Sequence, residues 1–332
     1  MTPSIKDRAI GALTGLALGD ALGMPTQSMS NSDIIKAYGA IHGLNKAVPY
    51  QPIAPSTPAG SITDDTEQAI LISQLIITGK GHIDPLSLAT TLLKWEDDMR
   101  AKGSLDLLGP STKLALEQVR NGEDITKTGK TGTTNGAAMR VTPVGIANSL
   151  KNLAQFADRV YESCRVTHYT TNGFCSAALI ATAVSYGIEG GAVRNNLSES
   201  LETVDSFPER GAWTPKANVL ARTKVALTHA AKDSDSAFFD FLHNECGTSV
   251  EANESIPAAF ALTWRYADEP ATALYTAAGL GGDTDTIAAM SGAMLGSCLG
   301  DQAFPKDSVQ TVKEVSQLNF EPLAIALLKL RK

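Results

Sequence analysis

The sequence predicts an all-α fold built as one domain over residues 1–332. Apolar residues recur at three- and four-residue spacing along most of the chain, whereas the alternating pattern of strands is scarce. No repeat or break in composition divides the chain. With 332 residues, 43% hydrophobic and 19% charged, the chain can bury a large core as one big domain or two small ones. The uniform composition favours one domain.

The first helix is predicted at residues 9–24, AIGALTGLALGDALGM. This run could pass for the core of a signal peptide, but Asp20 interrupts it, and Asp7 offsets the charges of Lys6 and Arg8. We therefore interpret it as a buried helix. The same periodicity predicts helices at 66–78, 87–99, 111–120, 151–165, 173–188, 216–231, 234–244, 256–267, 270–279, 285–299 and 308–331. No segment approaches the ~18 uninterrupted apolar residues of a membrane span, so we expect no membrane association.

Two loops are long, at roughly 24–62 and 123–145. Loops of that length in a compact domain are usually functional or disordered. Glycines recur at four-residue spacing at Gly11, Gly15 and Gly19, and a second small-residue face follows position 285. Such faces let helix axes approach closely. They indicate either tight packing alone or a crowded bundle that supports a site at its helix ends.

Charge and cysteine content narrow the function classes. The formal charge of −7 gives no general attraction to nucleic acid or anionic membranes, so a phosphate-bearing ligand would need metal, Arg or helix N-termini. The four cysteines form no CxxC pair and are too sparse for a disulfide framework. Reduced thiols and a cytoplasmic location are expected.

Two acidic motifs, SITDDTEQAI (61–70) and GLGGDTDTIA (279–288), each place carboxylates and hydroxyls just before a helical run. Helix capping accounts for one Asp-Thr pair but explains too little for two motifs with four Asp. Carboxylates buried together raise one another's pKa, and divalent cations relieve this cost. The oxygen-only set suits two Mg²⁺ or Mn²⁺ ions, whereas zinc is disfavoured because no His or Cys stands at ligand spacing. The candidate metal ligands are Thr63, Asp64, Asp65, Asp283, Asp285 and Thr286.

Five segments, in chain order, resemble the ADP-ribosylglycohydrolase family: GALTGLALGDALGMP (11–25), TDDT (63–66), NGAAMRVTPVG (135–145), THYT (167–170) and GGDTDT (281–286). The resemblance spans nearly the whole chain. It implies a single compact orthogonal helical bundle with a binuclear Mg²⁺ or Mn²⁺ centre held by the same six residues. It also implies hydrolysis of the glycosidic bond at C1″ of ADP-ribose, with ADP-ribose or an ADP-ribosylated protein or metabolite as the partner.

The resemblance also implies a substrate-binding set. The family's loop corresponding to residues 135–139 lies against the diphosphate and distal ribose, and a His at the position of His168 lines the cleft. Small residues in such a loop would let backbone N–H groups approach a phosphate. Arg140 would add a cation or serve a structural role. The implied substrate-binding residues are Asp20, Asn135, Gly136, Ala137, Ala138, Met139 and His168.

Three residues are candidates for catalysis: Asp65, Asp106 and Gln27. Asp106 would orient the substrate or cap a helix. Many family members carry a Glu, implicated in acid/base chemistry, on a mobile flap at the position of Gln27, and a carboxamide cannot accept a proton at neutral pH. The metal ligands therefore favour a hydrolase of an ADP-ribosyl or smaller ribosyl conjugate. Gln27 instead favours a catalytically weak ADP-ribose binder or a structural relative, like the crystallins that share this fold.

Overall fold

A computed structural model describes residues 2–104 and 108–331. Within these ranges the regular elements are helices, and strand-like pairing is limited to isolated bridges. The prediction of an all-α fold is confirmed. The helices are α1 (Ile5–Gly23), α2 (Asn31–Tyr38), α3 (Asp64–Thr78), α4 (Pro85–Ala101), α5 (Pro110–Arg120), α6 (Gly136–Met139), α7 (Thr142–Ala147), α8 (Leu153–Cys164), α9 (Thr171–Glu189), α10 (Val193–Asp205), α11 (Val219–Lys232), α12 (Asp235–Phe241), α13 (Ala252–Arg265), α14 (Pro270–Gly279), α15 (Thr284–Leu299), α16 (Lys306–Val315) and α17 (Glu321–Leu328).

The centre of the molecule is the antiparallel pair of α1 and α15, whose backbones touch. A Cβ added to Gly15 would lie 2.1 Å from the carbonyl oxygen of Gly292. At the C-terminal end of α1, a Cβ on Gly23 would lie 2.4 Å from the Cα of Asp285. Glycine is therefore required at these crossings, because any side chain would push the helices apart. The contact brings the end of α1 against the acidic start of α15.

The helices α3, α9, α13 and α14 pack around this pair in one hydrophobic cluster. Both α9 and α15 are buried over nearly their whole length, as expected for helices that are apolar all round. Peripheral helices bury one face only, as α16 does with Val309 and Val312. No helix of the described residues has the length and apolarity to cross a membrane.

Several predicted boundaries are wrong. The segment 308–331 forms two helices, α16 and α17, because the chain turns at Gln317, which has a φ of 53°, and a new helix begins at Glu321. The two segments predicted as long loops contain α2, α6 and the first residues of α7. Helix α10 was not predicted, since Asn, Ser and Glu dilute its apolar positions.

Candidate metal and substrate site

Three helix ends meet at the acidic motifs: the C-terminal end of α1 and the N-terminal ends of α3 and α15. Asp20, in the last turn of α1, accepts hydrogen bonds from the backbone N–H groups of Thr63, at 3.0 Å, and Thr66, at 3.1 Å. The Thr66 hydroxyl also donates to it. Burial raises the pKa of Asp20 to about 6. The Asp20 carboxylate thus locks the start of α3 onto α1.

Asp65 lies at the middle of the carboxylate cluster. The hydroxyls of Thr63 and Thr286 donate to its Oδ2, at 3.3 and 3.1 Å. Its Oδ1 is buried and has no hydrogen-bond partner among the described residues. Burial, and then the nearby charges of Asp285 and Asp64, raise the pKa of Asp65 well above its ordinary value. A buried carboxylate oxygen without a partner is costly, so this position suits a cation.

The second acidic motif is aimed by a two-glycine turn. Gly281 and Gly282 have φ values of 91° and 83°, which L side chains rarely adopt, and a Cβ on Gly282 would lie 2.3 Å from the Thr248 carbonyl oxygen. The turn presents Asp283, whose Oδ2 accepts a 2.6 Å hydrogen bond from the Asn135 amide. Burial raises the pKa of Asp283 to about 6.

A cleft of about 260 Å³ opens above these carboxylates. Asp64, Asp283, Asp285 and Thr286 form its acidic side. The other predicted site residues that line it are Gln27, Asn135, Gly136 and Met139. Thr63 and Asp65 are buried just beneath. Eight lining residues were not predicted as site residues: Ser28, Ile53, Leu108, Gly109, Pro110, Thr112, Thr134 and Val250.

The donor chemistry of this cluster fits hard divalent cations. Its side chains offer only carboxylate and hydroxyl oxygens, which Mg²⁺ and Mn²⁺ prefer, and the Asp65 Oδ1 still needs a partner. In residues 2–104 and 108–331, no three His, Cys, Asp or Glu side chains already stand at the spacing of a single-ion site. The cluster therefore contains suitable ligand atoms, but its side chains are not arranged as a preformed coordination site.

A buried chain of hydrogen bonds leads away from Asp64. The Gln68 amide nitrogen donates to Asp64 at 2.7 Å, and the Gln68 carbonyl oxygen accepts from Arg140 at 3.0 Å. Arg140 also donates to the Thr167 hydroxyl at 2.7 Å. Arg140 is fully buried, and burial lowers its pKa to about 10, so it remains charged at neutral pH. It serves the structural role and does not line the cleft.

His168 was expected in the cleft wall and is instead fully buried. Its ring nitrogens form hydrogen bonds with the hydroxyls of Thr167, at 2.8 Å, and Thr134, at 3.1 Å. It supports the wall from below, since a Cβ on Gly136 would lie 3.1 Å from its Cε1. Burial, and then the charge of Arg140, place the pKa of His168 well below its ordinary value.

Other predicted substrate contacts also lie outside the cleft. Asp20, Ala137 and Ala138 are fully buried, because Asp20 caps α3 and the two alanines pack into the core. The backbone N–H groups of Ala138 and Met139 donate to the Asn135 carbonyl oxygen, so neither is available to a phosphate. Asp106 lies outside the described residues.

Residues of the predicted flap also line the cleft. Gln27 is 6% exposed, and its Nε2 is buried without a hydrogen-bond partner among the described residues. The Gln51 side chain donates to the Gln27 carbonyl oxygen at 2.9 Å and accepts from the Ile53 N–H at 2.6 Å. Gln51 thus links both flap segments that line the cleft. Its sequence context, YQPIAP, gave no signal for this role.

A larger cavity of about 430 Å³ lies beside α9 and the loop before α11. Its acidic residues, Asp205 and Glu209, are exposed, and Asp205 pairs with Lys224 at 2.8 Å. Because the larger cavity lacks buried carboxylates, the smaller cleft is the better candidate for a catalytic site.

The fold is all-α, and its oxygen-rich cluster lies where three helix ends meet. Comparison with known proteins shows which family has this combination. The chain belongs to the ADP-ribosylglycohydrolase family, whose model matches residues 1–332. It is 31% identical to the uncharacterized protein YegU of Escherichia coli (strain K12), with 98% of each chain covered. It is 26% identical to the ADP-ribosylhydrolase ARH3 of Bos taurus, covering 91% of this chain and 87% of that one.

A solved structure described as an ADP-ribosylglycohydrolase-related protein complex has the same fold. It is 22% identical, covers 98% of this chain and 99% of its own, and superposes with a TM-score of 0.68.

Proposed function

We propose that this protein is a metal-dependent hydrolase that cleaves the glycosidic bond at C1″ of an ADP-ribosyl conjugate. The observation that carries the proposal is the buried Oδ1 of Asp65, which has no hydrogen-bond partner among the described residues and is surrounded by carboxylates. The cluster comprises Asp20, Asp64, Asp65, Asp283 and Asp285. Two divalent cations together with the Arg140 guanidinium would match its charge. Family membership supports the reaction type.

The predicted ligands, Thr63, Asp64, Asp65, Asp283, Asp285 and Thr286, would hold two Mg²⁺ or Mn²⁺ ions. When bound, these ions would supply charge that orients ribose hydroxyls and polarises a water near an oxocarbenium-like transition state. The chain's own groups prepare that setting. Asn135 fixes the Asp283 carboxylate, and Asp20 holds the start of α3 in place. The flap residue Gln27 lines the same cleft as the carboxylates.

A cleft of about 260 Å³ is smaller than the roughly 300–1,000 Å³ of most pockets for complete small-molecule ligands. It would suit the reacting ribose, with the rest of ADP-ribose lying outside it. ADP-ribose would be the common recognised group, whether attached to a protein or to a metabolite. We further propose a cytoplasmic location, which is supported by four cysteines that form no disulfides.

The test is hydrolysis of Arg-linked and Ser-linked ADP-ribosyl peptides, O-acetyl-ADP-ribose and simple nucleosides, with Mg²⁺, Mn²⁺ or EDTA. Free ADP-ribose should form only with metal, and Asp283→Asn should slow its release at least about 10²-fold. The surface variant Asp98→Asn is the matched control.

Two other outcomes would replace the proposal. Cleavage of nucleosides alone would make the protein a hydrolase of smaller ribosyl metabolites. Tight binding of ADP-ribose without hydrolysis of any conjugate would make it a binding protein, the alternative that Gln27 favours.

A further inference from the structure

The buried chain of hydrogen bonds that contains Arg140 continues to the wall of the cleft. Arg140 donates to the Thr167 hydroxyl at 2.7 Å, and that hydroxyl lies 2.8 Å from Nδ1 of His168. Nε2, on the other side of the ring, lies 3.1 Å from the Thr134 hydroxyl. Arg140, Thr167 and His168 are fully buried, whereas Thr134 lines the cleft. The chain therefore connects a buried cation to a hydroxyl that a ligand can reach.

The direction of each hydrogen bond in this chain follows from its first member. A guanidinium only donates, so the Thr167 oxygen accepts from Arg140. The buried Thr167 hydroxyl must in turn donate, and the acceptor that the described residues offer it is Nδ1 of His168. Nδ1 therefore carries no proton. Burial and Arg140 lower the pKa of His168, so the ring is neutral and has its proton on Nε2, which donates to Thr134.

Thr134 thus has a hydroxyl proton that the chain does not use. Its oxygen accepts from the imidazole, and within the described part of the molecule the hydroxyl makes no second hydrogen bond. The backbone around it is fixed. The Asn135 N–H donates to the Val250 carbonyl oxygen at 2.9 Å, and the Ala252 N–H donates to the Thr133 carbonyl oxygen at 3.0 Å. The free proton is therefore held at a defined place in the cleft wall.

We propose that Thr134 is a pre-oriented hydrogen-bond donor to the ligand and that His168 is the positioning residue that sets its direction. The inference rests on the proposed function. The partner of Thr134 is an acceptor oxygen of the ADP-ribosyl group, either a charged phosphate oxygen or an uncharged sugar oxygen. Because the buried chain fixes the direction of the donor in advance, the hydroxyl needs no reorganisation when the ligand arrives.

This arrangement assigns the ligand contact to a different residue from the one expected from the sequence. His168 was expected to face the ligand, and it instead acts through the hydroxyl of Thr134. Arg140 and Thr167 act one and two steps further back, although neither lines the cleft.

The first test is the position of the proton on His168, measured by ¹⁵N NMR of wild-type protein labelled on histidine, at pH 7.5. The His168 signals are identified by their loss in His168→Gln. We expect an unprotonated Nδ1 and a protonated Nε2, which burial alone would not require. A proton on Nδ1 would overturn the proposal, because the Thr134 hydroxyl would then donate to Nε2 and could not serve a ligand.

The second test is calorimetric binding of ADP-ribose in the presence of Mn²⁺. Thr134→Val keeps the shape of the side chain and removes its hydroxyl, so Kd should rise about 3-fold or more, whereas Thr134→Ser should stay within about 2-fold of wild type. Thr228→Val, at an exposed position on α11, is the matched control and should leave Kd unchanged.

The size of the loss identifies the acceptor oxygen. A hydrogen bond to a charged group contributes more than one to a neutral group, so a rise in Kd above about 10-fold indicates phosphate and a rise of about 3- to 10-fold indicates a sugar oxygen. Binding that Thr134→Val leaves unchanged would overturn this inference alone. No binding of ADP-ribose by wild type would instead overturn the proposed function, and the ligand assigned to Thr134 with it.

Thr167→Val tests the part of the chain behind Thr134. Without the Thr167 hydroxyl, Nδ1 has no fixed donor, so the ring can carry its proton on either nitrogen and the Thr134 hydroxyl can turn inwards. Thr167→Val should therefore weaken ADP-ribose binding from a fully buried position. In the Thr134→Val background it should have little further effect, and additive losses would contradict a positioning role for His168. If Thr167→Val does not fold, the proton position measured in wild type decides.

Discussion

Gln68 connects the carboxylate cluster to the buried Arg140. A guanidinium can only donate, so the Gln68 carbonyl oxygen must face Arg140 and its NH₂ group must face Asp64. A single neutral amide thus separates a buried cation from a buried anion while partnering both. Direct pairing of Arg140 with Asp64 would occupy the carboxylate that the cleft needs.

Replacing Gln68 with Met keeps the volume and removes both hydrogen bonds. Because Arg140 then loses a buried acceptor, we expect the free energy of unfolding to fall by about 1–3 kcal/mol in urea titrations. Gln74→Met on the exposed face of the same helix should change it by less than about 0.5 kcal/mol. Equal stability of the two variants would mean that the Gln68 bridge does not contribute.

His168 should make stability depend on pH. Burial and Arg140 lower its pKa in the folded state, whereas the unfolded chain has an ordinary value of about 6.5. The unfolded state therefore binds more protons as pH falls below about 6.5, and the stability present above that pH is progressively lost. The slope from this residue approaches about 1.4 kcal/mol per pH unit.

The measurement is urea unfolding at pH 7.5, 6.5 and 5.5 for wild type and His168→Gln. The wild-type free energy of unfolding should fall more steeply towards acid than that of the variant, which cannot take up the proton. Parallel pH profiles would show that His168 titrates normally in the folded protein.

Among the elements, the crossing of α1 and α15 positions the site. Gly15 and Gly292 bring the two backbones into contact, and further along the same seam Gly23 touches Asp285. Asp20, one turn from the end of α1, in turn holds the first residues of α3. The carboxylates converge because three helix ends are fixed to one another before any ligand arrives.

Gly15→Ala tests this role of the crossing. The new Cβ would lie 2.1 Å from the Gly292 oxygen, so the helices must separate, at a cost of about 1–3 kcal/mol in the free energy of unfolding. Gly43→Ala is the control, because its Cβ would meet no atom within 4 Å. Thermal melts with and without Mn²⁺ should show a smaller metal-induced rise for Gly15→Ala than for Gly43→Ala. An equal metal-induced rise in melting temperature for both variants would show that the helix crossing does not affect metal binding.

Over the whole molecule, the features that could be predicted from the sequence are those set by local patterns of residues. Helical periodicity predicted the central helices, and the four-residue spacing of Gly11, Gly15 and Gly19 predicted a close helix crossing. The order of the motifs supported the family. The positions of Asp64, Asp283 and Gln27 in the cleft wall followed from these motifs.

The sequence could not predict relations set by tertiary packing. His168 is buried with its ring nitrogens hydrogen-bonded to the hydroxyls of Thr134 and Thr167. The sequence pair Thr167-His168 does not indicate whether the ring points into the core or into the cleft. The hydrogen bond from the Gln51 side chain to Gln27 joins residues 24 positions apart in the chain. The segment between them has no hydrophobic periodicity from which this contact could be predicted. Helix α10 could not be predicted from its polar composition, because packing of its apolar face stabilises it.

We expect the carboxylate cluster to bind divalent metal in the folded protein, and the most direct test is thermal unfolding of wild type and Asp65→Asn. The amide introduced by this substitution can still accept from Thr63 and Thr286, but one buried charge is removed. In EDTA the variant should therefore melt no lower than wild type. Saturating Mn²⁺ should raise the wild-type melting temperature, with a stabilisation of about 2.7 kcal/mol at one hundred times Kd, and leave Asp65→Asn unmoved. An equal rise in both proteins, with Asp98→Asn matching them, would contradict the claim.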